Sequence, residues 1–248
     1  MKILLIDTCG AAGSLALADT VHEPTLVISA TLPGRSAAER LVPAIRSLAD
    51  DSCISFGELD AVSVVHGPGS FTGVRVGLSA AKGLCHALNL PLIALSRLAV
   101  LASLAQQGVP HSSQSHRHGW GMNIYALLDA GRNEFYLGLY AAEACLREAL
   151  VTRVQLLASL SLDPAPIVIA CEIAIAESLG APSKLGLGGS AIPQIVAEPT
   201  AADALPLAIA RLQQRAFDNP ATIDANYLRR SDAEIFAKPI AAAALPSQ

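Results

Sequence analysis

The sequence predicts an α/β protein of two related lobes, each a mixed sheet with flanking helices. Three observations predict it. Short apolar runs bounded by Gly, Pro or Asp alternate with helix-like stretches along the 248 residues, the pattern of α/β units. One unit, an apolar run closed by Asp and followed by a turn and a second apolar run, occurs twice. Met1–Asp7 is followed by Ser14–Leu17, and Asn123–Asp129 by Tyr136–Leu139, each seven residues after its Asp. Two ordinary hairpins would show similar runs, but the equal spacing favours an internal duplication. Finally, 52% hydrophobic residues with only 4% aromatics supply a large aliphatic core.

Taken in order, Ile3–Ile6 reads as a buried strand ended by Asp7, Ser14–Ala18 as its hairpin partner across Gly10 and Gly13, and Leu26–Thr31 as a third strand. Ser36–Glu39 has the form of a capping box, and Leu41, Val42, Ile45, Leu48 and Ala49 make one apolar face behind it. Pro43 removes a backbone donor within that helix and predicts a kink. Residues 60–65 read as a strand, 72–88 as a helix, Pro91–Ala94 as a short strand and 96–106 as a further helix. Residues 107–121 are polar and read as a mobile loop. His111, His116 and His118 lie within it, but no carboxylate or cysteine completes a metal site. Beyond the repeated unit, Pro166–Ala170 is a strand candidate, Leu185–Ser190 a glycine-rich turn, and Ala202–Arg215 a helix with Leu205, Ala208, Ile209 and Leu212 on its apolar side. The domain bounds that follow are a first lobe at 1–106, the loop at 107–121, a second lobe at 122–224 and a tail at 225–248.

Composition excludes several classes of function. A net charge of −4 argues against a free-standing nucleic-acid binder. The five cysteines, Cys9, Cys53, Cys85, Cys145 and Cys171, are scattered and form no CxxC pair, which points to reduced thiols and neither a zinc ribbon nor a disulfide framework. The apolar run after Lys2 is too short for a signal-peptide core, and no run approaches the roughly 20 residues of a membrane span. The reading is a soluble, cytoplasmic chain that does not engage a membrane.

The stretch His66–Gly77, HGPGSFTGVRVG, holds four glycines between a strand and a helix. It fails the Walker A pattern because no Lys follows the glycines, and it fails GxGxxG because Thr72 takes the third glycine position. Along the helix, Gly73, Val74, Gly77, Leu78 and Ala81 form a stripe of mostly small residues that lets another backbone approach. That partner is either the protein's own core or a helix of another chain, and spacing alone does not separate the two. Asp7 and Thr8 after the first strand, with Asp129 after its repeat, have the placement of the metal and phosphate carboxylates of the actin–sugar kinase–Hsp70 group. No HxxxH, HExxH or Ser–His–Asp arrangement stands out.

ILLIDT at 3–8, GPGSFTGVRVG at 67–77, LLDAGRNEFY at 127–136 and YLRR at 227–230 together resemble the bacterial TsaB (YeaZ) family. The second of these is highly specific, and region 141–215 matches poorly. The resemblance implies a two-lobed fold of the actin–Hsp70 (ribonuclease H-like) type. It implies a scaffold or dimerisation subunit without catalysis of its own, the partner of a TsaD-type transferase. With a TsaE-type ATPase, that complex places threonylcarbamoyl on N6 of adenosine 37 of tRNA. tRNA would be met only through the complex. No cofactor of its own is implied, ATP or ADP being admitted only at the shared interface. Partner contact is implied for the helices at about 36–50 and 72–88. The stripes Leu41, Ile45, Leu48 and Gly73, Val74, Gly77, Leu78, Ala81 are therefore expected to be partly exposed, with a homodimer forming through them when the partner is absent. Asp7, Thr8 and Asp129 are read as a vestigial nucleotide site. The chain has Ala37 where the family often carries His, and Ile169–Glu172 where it often carries a GxG turn. An ATP-dependent kinase or hydrolase of the same superfamily is the alternative.

Overall fold

Lys2–Asp7 (β1) is buried on both faces along almost its whole length, which is why it reads as an unbroken apolar run and not as an alternating one. In the computed structural model, which describes residues 1–20, 26–33, 37–108, 123–141, 144–179 and 193–229, β1 is the middle strand of a five-stranded sheet. Gly13–Asp19 (β2) pairs antiparallel with it, from Lys2 opposite Asp19 to Asp7 opposite Ser14. Leu26–Leu32 (β3) extends that meander, while Ala61–Val65 (β4) and Leu92–Leu95 (β5) add in parallel on the other side. The order is β3-β2-β1-β4-β5.

The second sheet repeats this plan strand for strand. Asn123–Gly131 (β6) pairs antiparallel with Glu134–Ala141 (β7), and β7 with Ala144–Thr152 (β8). Ile167–Ala170 (β9) and Gln194–Ile195 (β10) add in parallel, giving β8-β7-β6-β9-β10. The duplication seen as two Asp-terminated runs is thus a duplication of topology, with β1 and β6 in the same central place. The β6–β7 loop is Arg132–Asn133, both at positive φ (58° and 59°), as a tight two-residue hairpin requires.

Helices Ala37–Ser52 (α1) and Phe71–Leu88 (α2) cover one face of the first sheet. The helix α1 runs on through Pro43, which sits on its exposed side. Leu41, Ile45, Leu48, Val74, Leu78 and Ala81 are each at most 5% exposed and pack with Leu4, Ile6 and Val62 in one cluster or, for Val74, with Leu5 in another. Gly77 is buried as well, and Gly73 is half-buried. The expectation of a partly exposed patch is therefore corrected: the stripe faces the protein's own sheet. A periodic apolar face reports that something covers it, and here β1 and β4 do.

Arg97–Gly108 (α3) and Leu205–Gln213 (α6) exchange lobes relative to chain order. Leu98, Leu101, Ala102 and Ala105 of α3 pack on Ile124, Ala126 and Ile169 of the second sheet. Leu205 and Ala208 of α6 pack on Ile3, Leu5 and Ile93 of the first. The bounds 1–106 and 122–224 therefore cut across the packing. The predicted helix at 202–215 is a 3₁₀ turn, Ala202–Ala204, running into α6. Arg153–Ser161 (α4) and Ile173–Leu179 (α5) cover β6, β7 and β9. Residues 218–229 return to the first lobe, where Asn226 N–H donates to the His66 carbonyl (2.8 Å) and Ala94 N–H to Asp218 Oδ2 (2.7 Å). The histidine-bearing stretch beyond Gly108, the glycine-rich turn at 185–190 and the tail from 230 onward lie outside the described residues. Among those residues no helix is long and apolar enough to cross a membrane.

Candidate functional site

The turn after β1 is the floor of the site. Asp7 Oδ1 accepts from Cys9 N–H (2.8 Å), and Cys9 Sγ–H donates back to the Val65 carbonyl (3.1 Å). The glycine-rich stretch docks onto this turn. Gly67 adopts φ +111°, in the region that favours glycine. Ser70 N–H donates to the Cys9 carbonyl (2.8 Å), and its hydroxyl caps α2 by accepting from Gly73 N–H (3.3 Å). A Cβ on Gly73 would run into the Thr8 carbonyl, and one on Gly77 into the Thr8 hydroxyl. Thr8 Oγ1 donates to the Gly73 carbonyl (2.6 Å). The glycines of HGPGSFTGVRVG thus let α2 lie backbone to backbone on residues 7–9.

Between the lobes lies a cleft of about 470 Å³ lined by residues of both, including Cys9, Gly10, Arg97, Asp129, Glu172 and Glu198. Of the two repeat aspartates Asp129 is among its lining residues and Asp7 is not. Asp7 and Thr8 are buried, whereas Asp129 is exposed, with its Oδ1 accepting from Gly131 N–H (2.8 Å). Burial pushes the Asp7 carboxyl above its ordinary range, and the Arg97 charge and the Cys9 N–H pull it part of the way back. Burial likewise raises Glu172, whose carboxylate accepts from Asp129 N–H (3.3 Å), and lifts the Cys171 thiol to about 11.

Among the described residues lining this cleft Arg97 is the one cation, and spacing does not single it out. It opens α3, which reads in the sequence only as a further helix at 96–106, and a charge at the head of a helix rich in Ala and Leu is the signal that could have found it. Its Nη2 donates to Glu198 Oε1 (2.5 Å), while Nε is buried with no partner among the described residues. Glu198 also accepts from Ala11 N–H (3.2 Å). It comes from the irregular, mostly apolar stretch Pro193–Thr200, in which nothing in the sequence marks it. Among the described residues no three His, Cys, Asp or Glu side chains gather as a metal site.

Compared with known proteins, residues 20–237 match the family model described as TsaD, tRNA N6-adenosine threonylcarbamoyltransferase. The chain is 34% identical over 152 residues to the tRNA threonylcarbamoyladenosine biosynthesis protein TsaB of Bacillus subtilis (strain 168), covering 61% of this chain and 60% of that one. It is 32% identical over 143 residues to the protein of the same name from Haemophilus influenzae, covering 58% and 55%. The chain spans between half and two thirds of the length of these curated relatives. A crystal structure of an uncharacterized Pseudomonas aeruginosa protein with similarity to peptidase YEAZ superposes with a TM-score of 0.71 at 26% identity, covering 92% of this chain and 99% of that one.

Proposed function

The chain belongs to the tRNA N6-adenosine threonylcarbamoyltransferase (TsaD) family, and from that premise we propose that it is a non-catalytic subunit of the machinery that forms N6-threonylcarbamoyladenosine at position 37 of tRNA. It binds a TsaD-type catalytic subunit, meets a TsaE-type ATPase and tRNA through that assembly, and pairs with itself when the catalytic subunit is missing. The observation that carries the non-catalytic reading is the state of the cleft. The guanidinium and backbone N–H that would receive a phosphate are engaged by Glu198, and acids surround the single Arg97. The names of the curated relatives support the pathway.

The buried stripes cannot meet a partner, so the contact belongs to the outward side of the same helix pair. On α2, Ser79, Gly83 and Ala87 are exposed at four-residue spacing, with half-buried Val76 and Ala80 beside them. Val42 of the neighbouring α1 is 57% exposed. Gly83 differs from Gly73 and Gly77, because a Cβ there would meet nothing within 4 Å. Internal packing gives no reason for glycine at 83, and a helix approaching from outside does.

This predicts opposite signs for two measurements on one variant. Gly83→Arg replaces a poor helix former and should leave the melting temperature unchanged or raise it, by the roughly 1 kcal/mol that glycine costs in a helix interior. The same change should weaken binding to the TsaD-type protein at least ~10-fold, as an unmatched charge and bulk at a helix contact would. Size-exclusion and titration calorimetry with the purified pair check it. Wild-type affinity in a folded Gly83→Arg chain would remove this face from the interface.

A further inference from the structure

We propose that the inter-lobe cleft contains an oxyanion site that the chain fills itself, with the Glu198 carboxylate as its resident ligand. The donors are those that bind a phosphate or carboxylate elsewhere: a guanidinium, Arg97 Nη2 at 2.5 Å, and a turn N–H, Ala11 at 3.2 Å, both converging on Glu198 Oε1. The site is built around that oxygen. A Cβ at residue 10 would collide with Glu198 Oε1 and with Arg97 Nη2, so the Gly10 backbone is what allows carboxylate and guanidinium to meet there. Arg97 is 95% buried (5% exposed), and its Nε has no partner among the described residues, so the guanidinium holds a donor that the single carboxylate oxygen does not use. A tetrahedral phosphate, with more acceptor oxygens, would use it.

Glu198 does not belong to the wall of the cleft in the way Arg97 does. It lies on the strap that leaves β10 and crosses to the first lobe. Val196 N–H donates to the Ala170 carbonyl at one end (2.9 Å), and Ala201 N–H donates to Ser14 Oγ at the other (2.8 Å). The side chain of Glu198 remains 45% exposed while that of Arg97 is 6% exposed. The carboxylate is thus a plug inserted from a crossing segment into a site whose cation is fixed. Its presence excludes small oxyanions and the phosphates of nucleotides from the first-lobe turn.

The experiment uses the full chain and three sodium salts, chloride, acetate and phosphate, at matched ionic strength. Thermal melts are recorded for wild type, Glu198→Ala and Glu198→Gln. Removing the carboxylate in Glu198→Ala empties the site, and acetate or phosphate at ~100 mM should then raise the melting temperature by a few degrees over chloride, because an anion bound only to the folded state stabilises by mass action. The wild type should show only the smaller, non-specific rise that a kosmotropic anion such as phosphate gives a folded protein. Glu198→Gln keeps an oxygen acceptor for Arg97 and Ala11 N–H and should behave as the wild type does. A Glu198→Ala chain that is partly unfolded still answers the question, since anion-driven refolding is then read by circular dichroism. Three results overturn the proposal: no anion-specific rise in Glu198→Ala, an equal rise in the wild type, or an equal rise in Glu198→Gln, which would reduce Glu198 to simple charge repulsion. The proposal rests on the same reading of the cleft as the non-catalytic assignment, whereas none of these results touches binding to the TsaD-type protein, so failure here leaves the partner-binding half of the scaffold reading standing.

Discussion

Gly77→Leu is expected to destabilise the first lobe by about 3 kcal/mol, at the upper end of overpacking costs. At roughly 2–4 °C per kcal/mol for a chain of this size, that is a fall in melting temperature of about 6–12 °C. The new Cβ would occupy the place of the Thr8 hydroxyl, with Ile6 Cγ2 only 3.5 Å away, so the Thr8–Gly73 hydrogen bond has to move with it. Backbone sits behind Thr8 on one side and the β1 core on the other, which leaves little room to relax. The contrast with Gly83→Ala on the same helix makes the test specific, because that change meets open space and should stabilise by about 0.5–1 kcal/mol. Equal and small effects at both positions would contradict the docking of α2 on the Asp7–Cys9 turn.

Arg97→Met should cost about 3 kcal/mol at neutral pH, the low end for removing one partner of a buried charge cluster. The low end applies because half-exposed Glu198 can turn to water, whereas Asp7 cannot. The pH dependence has a definite sign. The Asp7 carboxyl already titrates above its ordinary value of 3.8 because it is buried, and the Arg97 charge holds it down. A carboxyl raised in the folded state favours folding below its unfolded value and loses that contribution as pH rises through the folded value. Without Arg97 the folded value climbs further. The deficit of the variant relative to wild type should therefore be full on the alkaline side and shrink as pH falls, as Asp7 takes up a proton. Urea melts at several pH values read this directly. A deficit independent of pH would mean that Arg97 acts through packing alone.

Much of this architecture is legible in the sequence because central strands announce themselves. β1, β4 and β6 are apolar runs closed by polar turn residues, and the repeated spacing around Asp7 and Asp129 carries the duplicated topology. β8 is not legible, since it is an edge strand with four consecutive exposed residues at its start and a composition that equally suits a helix. The exchange of α3 and α6 between lobes is invisible because periodicity marks which face is covered and says nothing of which sheet covers it. The same limit explains the stripe on α2. Its buried face was found, but Gly73 and Gly77 are small for the sake of Thr8 and not of another chain, while the exposed Gly83 drew no notice. Strand position finds Asp129, which lines the cleft, and Asp7, which is buried at the end of β1. Arg97 and Glu198, sequence-distant and joined only by the fold, hold its chemistry.

If the chain supports the modification of tRNA without performing it, the decisive readout is threonylcarbamoyladenosine in tRNA, measured by mass spectrometry after reaction with the TsaD-type and TsaE-type proteins, ATP and an activated threonylcarbamoyl donor. The reaction is run without this chain, with wild type, with Asp129→Ala and with Gly83→Arg. Asp129 is an exposed carboxylate of the cleft whose loss leaves the core intact. The expected result is product with wild type and with Asp129→Ala in equal yield, and little or none without the chain or with Gly83→Arg. Loss of product with a folded, partner-binding Asp129→Ala chain, or full product without the chain, would contradict the account.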